Sequence, residues 1–122
     1  MGIVVDTSVW ADHFRSPDQR LTALVQQGEV LMHSYAIGEL ALGSFRDRAT
    51  SLRLLRNLPP ATVLAQRDLV DFVEIHGLVS SGIGFVDAHL LASAYVAHAK
   101  LWTRDKRLRQ RAEALGCSSD EA

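Results

Sequence analysis

Apolar positions in this chain fall into short β-branched runs and longer stretches with helical spacing, and the two kinds alternate. Ile3, Val4 and Val5 form a continuous apolar run, the pattern of a strand covered on both faces. Thr7 and Ser8 follow as N-cap candidates for a helix reaching Arg15, with Val9, Trp10 and Phe14 on its inner side. Leu21, Leu24 and Val25 keep helical spacing until Gly28 stops them, and Val30–His33 reads as a second strand. Ser34 is placed to cap a helix over Tyr35–Leu42, ended by Gly43. Arg46–Leu58 reads as a basic amphipathic helix with Leu52, Leu55 and Leu58 inward, broken at Pro59-Pro60. Thr62–Leu64 is a brief third strand, Gln66–Leu78 a helix with Leu69, Val70, Val73 and Leu78 inward, and Ser80–Gly84 a loop of small residues. Phe85–His98 is the most apolar helix. Leu101–Thr103 is the fourth strand, with Trp102 packed in it, and a last helix with Leu108, Ala112 and Leu115 inside ends at Gly116.

Strands alternating with helices predict an α/β fold: a parallel sheet with helices on both faces. At 122 residues the chain suits one domain spanning 1–122, with 117–122 as a loose polar tail. Hydrophobic residues make up 48% and charged residues 22%, ordinary for a soluble globular protein. No apolar run approaches the length of a membrane span, and the N-terminus lacks the basic start of a signal peptide. With one cysteine, Cys117, no internal disulfide can form, which fits a reducing cytoplasm.

Against this pattern four acids stand out. Asp6 and Asp105 each follow directly from a predicted strand and so fall on the carboxyl edge of the sheet. Glu39 and Asp87 each lie early in a helix starting from that same edge. The neighbours of Glu39 one turn away are apolar or small, and no Lys or Arg lies between Gln27 and Phe45. Asp87 shares a stripe with Leu90, Leu91 and Ala94, and 68–99 contains no Lys or Arg. Each acid also has a structural explanation: a turn brace for Asp6, a water-facing helix edge for Glu39, the helix dipole for Asp87 and an N-cap for Asp105. His89 is expected at the surface or beside the site rather than as a ligand, and Tyr95 in the core. Four converging carboxylates repel one another, and a divalent cation resolves that. Oxygen ligands without Cys or His point to Mg²⁺ or Mn²⁺, which activates water and steadies charge on a phosphate.

The formal net charge of −1 does not by itself suggest nucleic acid, but its distribution is uneven. Arg104, Lys106, Arg107, Arg109 and Arg111 form one basic group, and Arg46, Arg48, Arg53 and Arg56 a second. Such patches hold phosphates despite a balanced total, although a solvated helix face explains either patch alone. Arg104, Lys106 and Arg107, beside Asp105, are the candidates for contact with a phosphate backbone.

The same residues carry a family resemblance. DTSVW at Asp6–Trp10, YAIGELALG around Glu39, GFVDAHLLASA around Asp87 and TRDKRL at Thr103–Leu108 resemble, in order, the four motifs of the PIN-domain ribonucleases, specifically the VapC-type toxins of bacterial toxin–antitoxin pairs. The resemblance spans nearly the whole chain. It implies a three-layer α/β/α domain with four to five parallel strands, the last of which is doubtful here because the chain after Gly116 is short. It implies Asp6, Glu39, Asp87 and Asp105 as catalytic, metal-holding acids, with Thr103 and Ser8 as accessory hydroxyls. It further implies a Mg²⁺- or Mn²⁺-dependent endoribonuclease acting on RNA, often transfer or ribosomal RNA, a VapB-type antitoxin that occludes the site, and a homodimer.

Two readings from other classes stay open. Asp6 as the nucleophile of a phosphatase or phosphotransfer domain would want a second acid close by, where Ser8 stands, and a lysine near the phosphate, where the chain offers only Lys100 and Lys106. A fold-retaining, non-catalytic RNA- or protein-binding domain is the other.

Overall fold

The computed structural model describes residues 2–119. Three parallel strands, β1 (Ile3–Val5), β2 (Val30–Leu31) and β3 (Lys100–Trp102), form a sheet in the order β2-β1-β3. The central strand pairs Ile3 with Val30 on one side and with Lys100 on the other. Val4 and Val5 are therefore buried, as a β-branched strand flanked on both edges should be. Seven helices fill the described residues between and after the strands: α1 (Thr7–Arg15), α2 (Gln19–Gln26), α3 (Ser34–Ala41), α4 (Arg48–Arg56), α5 (Gln66–Ile75), α6 (Phe85–Val96) and α7 (Lys106–Ala114).

The chain leaves β1 toward one edge of the sheet and returns to the other edge for β3. The change of direction falls at the carboxyl ends of β1 and β3, the place where open parallel sheets form their crevice. Helix α6 packs on both strands and is buried almost all round from Ala88 to Ala94, which explains its continuous apolar sequence.

The strand count departs from the expected four to five. Residues 62–64 form no strand, and the segment meets the sheet edge only as a bridge between Met32 and Pro60. The Met32 N–H donates to Pro59 O and the Ala61 N–H to Met32 O, but the ladder cannot run on toward 62–64, because its next partner, Ser34, already begins α3. At the opposite edge Leu101 bridges Ser118, donating to Cys117 O and accepting from the Ser119 N–H. The expected loose tail is thus tied to the sheet over 117–119, with Cys117 buried; 120–122 lie outside the described residues. Two inward assignments also change: Val70 is exposed, and Tyr95 is partly exposed beside Phe72 and His76.

Candidate functional site

The first helix starts on Asp6 itself. Its backbone is extended, its carbonyl accepts from the Val9 N–H, and its Oδ1 accepts from the Thr7 N–H at 2.7 Å, so Asp6 rather than Thr7 or Ser8 is the N-cap. Only 3% of Asp6 is exposed. Burying a carboxylate is tolerable when its oxygens are met by donors, and here they are. The Ser8 and Thr103 hydroxyls both donate to Oδ2 at 2.7 Å. Thr7 Oγ1 contacts Oδ1 at 3.3 Å and donates to Glu39 Oε1 at 3.1 Å, bridging two of the acids.

The turn after β3 is tied to the same centre. Thr103 Oγ1 also accepts the Asp105 N–H at 3.0 Å, and the Arg104 N–H donates to Ser8 Oγ at 3.1 Å. Arg109 donates to Thr103 O. Asp105 caps α7, its Oδ1 accepting the Leu108 N–H at 3.0 Å, and remains exposed. The structure thus brings Asp6, Glu39, Asp87 and Asp105 to one open cavity of about 610 Å³, with Thr7 and Ser8 in its wall. Glu39 does not sit against the apolar core; it is exposed and faces this cavity.

Asp87, half-buried in the first turn of α6, carries the electrostatic signature of the site. Burial, and then the charges of Asp6, Asp105 and Glu39, push its carboxyl up to about 6. No basic side chain is among the causes, so the four acids act on one another without compensation. That suits a divalent cation: hard oxygen donors, excess negative charge and no soft ligand. Among the described residues no three acids are drawn together tightly enough to make a closed cage. The chemistry of the donors outweighs that spacing, because Mg²⁺ keeps several waters and takes only one or two carboxylates directly.

The three basic candidates fare differently. The Arg104 guanidinium lies on Asp12 at 2.7 Å and Asp18 at 2.9 Å, with its Cζ 5.7 Å from the Trp102 ring. Its expected place on an RNA backbone is therefore taken by two carboxylates of the α1–α2 region. Asp12 is held below the usual carboxylate range by Arg104 and then Arg15; Asp18 is lowered first by the Leu21 N–H and also by Arg104. Lys106 and Arg107 are exposed, and the Arg107 side chain lies across Gly82, whose φ of 84° suits glycine.

Two histidines lie in the site region, the first of them missed in the sequence. His33, not Ser34, is the N-cap of α3, its Nδ1 accepting the Tyr35 N–H at 3.0 Å. Burial and the neighbouring His89 lower its imidazole to about 4. His89, expected at the surface or beside the site, lies fully buried beside it, between Tyr35, Phe85 and His33. The two imidazoles join α3, which bears Glu39, to α6, which bears Asp87. A histidine at the end of a strand and directly before a helical pattern was the available signal for His33.

Comparison with known proteins agrees with this geometry. The family model described as PIN domain matches residues 3–114. Ribonuclease VapC32 of Mycobacterium tuberculosis, from strain CDC 1551 / Oshkosh and from strain ATCC 25618 / H37Rv, is in each case 46% identical over 108 residues, which is 88% of this chain and 87% of the relative.

Proposed function

The chain belongs to the PIN-domain family, and from that premise we propose that it is the toxin of a VapBC-type pair, an endoribonuclease that hydrolyses RNA phosphodiester bonds with the help of Mg²⁺ or Mn²⁺. The single observation that carries the reading is the cavity in which Asp6, Glu39, Asp87 and Asp105 meet at the crevice of a parallel sheet, its one basic lining residue, Arg15, being paired with Asp12. A bound divalent ion supplies an activated water and neutralises charge developing on the phosphate.

The chain's own residues divide the remaining work. Asp6, Glu39, Asp87 and Asp105 hold the ion. Ser8 and Thr103 orient Asp6, and Thr7 orients Glu39. Lys106 and Arg107 meet the RNA backbone. Asp87, whose carboxyl is pushed up to about 6 by burial and then by the other three acids, is an acid whose charge a cation would favour. The same charge suits a VapB-type antitoxin that places an Arg or Lys among the four acids; membership of the family, rather than the charge, supports a second copy of the chain as a homodimer. The exposed Leu42 and Leu54 offer apolar surface for the former. Among the described residues no helix is long and apolar enough to cross a membrane; we place the protein in the cytoplasm.

The test is cleavage of RNA by the purified chain, with the new ends identified. Water as nucleophile gives 5′-phosphate and 3′-hydroxyl ends in Mg²⁺ or Mn²⁺ and no cleavage in chelator. Ends carrying a 2′,3′-cyclic phosphate would show that the RNA's own 2′-oxygen attacks, and the metal-assisted reading would fall. A trapped aspartyl-phosphate on Asp6 would favour the phosphotransfer alternative instead.

A further inference from the structure

The acid cavity has a second end that none of the carboxylates explains. Trp10, Phe14 and Phe45 form a column of near-parallel rings: Trp10 and Phe14 are 6.0 Å apart at 29°, and Phe14 and Phe45 are 4.4 Å apart at 7°. The column starts in the core at Trp10, which is buried, and ends at Phe45, which is half-buried and lines the acid cavity. Trp10 and Phe14 belong to α1, one turn apart, whereas Phe45 sits in the connection between α3 and α4. Among the described residues Phe14 is the only aromatic side chain against Phe45. Of the residues lining the cavity only Arg15 is basic, and its side chain is 76% exposed.

We propose that Phe45, backed by Phe14, is a stacking platform for one unpaired base of the RNA next to the bond that is cut. The proposal rests on the nuclease reading above, since it places the platform in the same cavity as the four acids. The ion and the basic side chains engage the phosphates, and the cavity's carboxylates and small polar side chains give a base no apolar surface, so a base beside the scissile bond needs a ring face to rest on. Stacking on such a face is available only for bases out of a duplex. The near-parallel stacking of Phe45 on Phe14 fixes the plane on which the next ring lies, which spares the ordering cost of a lone flexible side chain. A platform of this kind accepts any base, and so selects single-stranded or loop positions rather than a sequence.

The experiment uses short single-stranded RNAs carrying 2-aminopurine at each position in turn, bound to the full chain with Asp87→Asn in place so that the strand stays intact. One position should quench on binding. Adding Phe45→Ala should abolish that quench and weaken binding roughly tenfold, the effect of losing one stacked base, while Phe45→Trp should keep both. An abasic nucleotide at that position should weaken binding to the Phe45 protein about equally, and should leave the Phe45→Ala protein unaffected further; this arm holds even if the alanine variant folds poorly. RNA that fails to bind, binds with no quenched position, or keeps its quench with Phe45→Ala overturns the platform. So does a Phe45→Ala protein that binds RNA normally and escapes only its protein inhibitor, which would assign the ring to that partner. Cleavage by the unmodified chain is scored separately: cleavage with an inert Phe45 sinks the platform alone, and quenching without cleavage sinks the nuclease reading alone.

Discussion

Thr103 Oγ1 donates to Asp6 Oδ2 at 2.7 Å across 97 positions of sequence, and the same hydroxyl oxygen accepts the Asp105 N–H at 3.0 Å. One side chain thus fixes the carboxylate at the end of β1 and the turn that presents the acid after β3. Thr103→Val keeps the shape and removes both bonds. Because the lost partner is a buried carboxylate, unfolding free energy should fall by about 1.5–3 kcal/mol, and RNA cleavage should fall with it. Denaturant titration of wild type and Thr103→Val measures the first, initial cleavage rates the second. Unchanged stability would mean that the hydroxyl does not hold Asp6.

Asp87 gives the metal-free protein a defined pH dependence. Its carboxyl is raised to about 6 in the fold, against an ordinary value near 4. The folded state therefore binds the proton more tightly than the unfolded chain. The stability this contributes is full below pH 4 and lost as pH rises through 6. In chelator, Asp87→Asn should be at least as stable as wild type at pH 7, and the gap should close on acidification toward pH 4. Thermal melts across that window check it. A variant less stable at pH 7 by about 1 kcal/mol would make Asp87 an ordinary first-turn acid.

His33 has the opposite sign. Its imidazole is lowered to about 4, so the neutral ring is the folded form. The stability it provides is complete above its ordinary value near 6.5 and is lost as pH falls through that value toward 4. His33→Asn retains a capping side chain for α3 and should flatten this acid-side loss, measured in the Asp87→Asn background so that the two titrations do not cancel. An unaltered acid limb would place the lability elsewhere.

The two kinds of basic residue beside Asp105 should separate in salt. Lys106→Ala or Arg107→Ala should weaken RNA binding for all sequences and reduce the salt slope by roughly one. Arg104→Ala should leave the slope unchanged and cost stability instead, because its guanidinium is engaged by Asp12 and Asp18. Both pairs are partly exposed and screened by solvent, so the loss of stability should be small. Binding isotherms at several salt concentrations decide it; a slope change for Arg104→Ala would return that residue to the RNA.

The alternation of apolar runs made the parallel sheet legible, and position relative to those runs made the four acids legible. Long-range hydrogen bonding was not: nothing near Thr103 announces a bond to Asp6. Glu39 was assigned to the apolar side because its neighbours one turn away are apolar, yet it faces the cavity and remains exposed. The third predicted strand failed because a short apolar run is only a propensity, and the partner it would have paired with turns into α3 at Ser34, directly after the Met32–Pro60 bridge. The Trp10–Phe14 spacing was visible along α1, whereas the arrival of Phe45 on Phe14 is tertiary and left no trace in either stretch. A cap written in imidazole rather than hydroxyl hid His33 in the same way.

The most direct test of the four-acid site is the stabilisation that Mn²⁺ gives to wild type and to Asp87→Asn. An ion that binds the folded protein raises its melting temperature by an amount that grows with the logarithm of its affinity. Wild type should therefore melt clearly higher in excess Mn²⁺ than in chelator, and Asp87→Asn, having lost a carboxylate, should gain much less while its RNA cleavage falls by orders of magnitude. If Mn²⁺ stabilises both proteins equally, Asp87 does not share in holding the ion, and the site is not the one described.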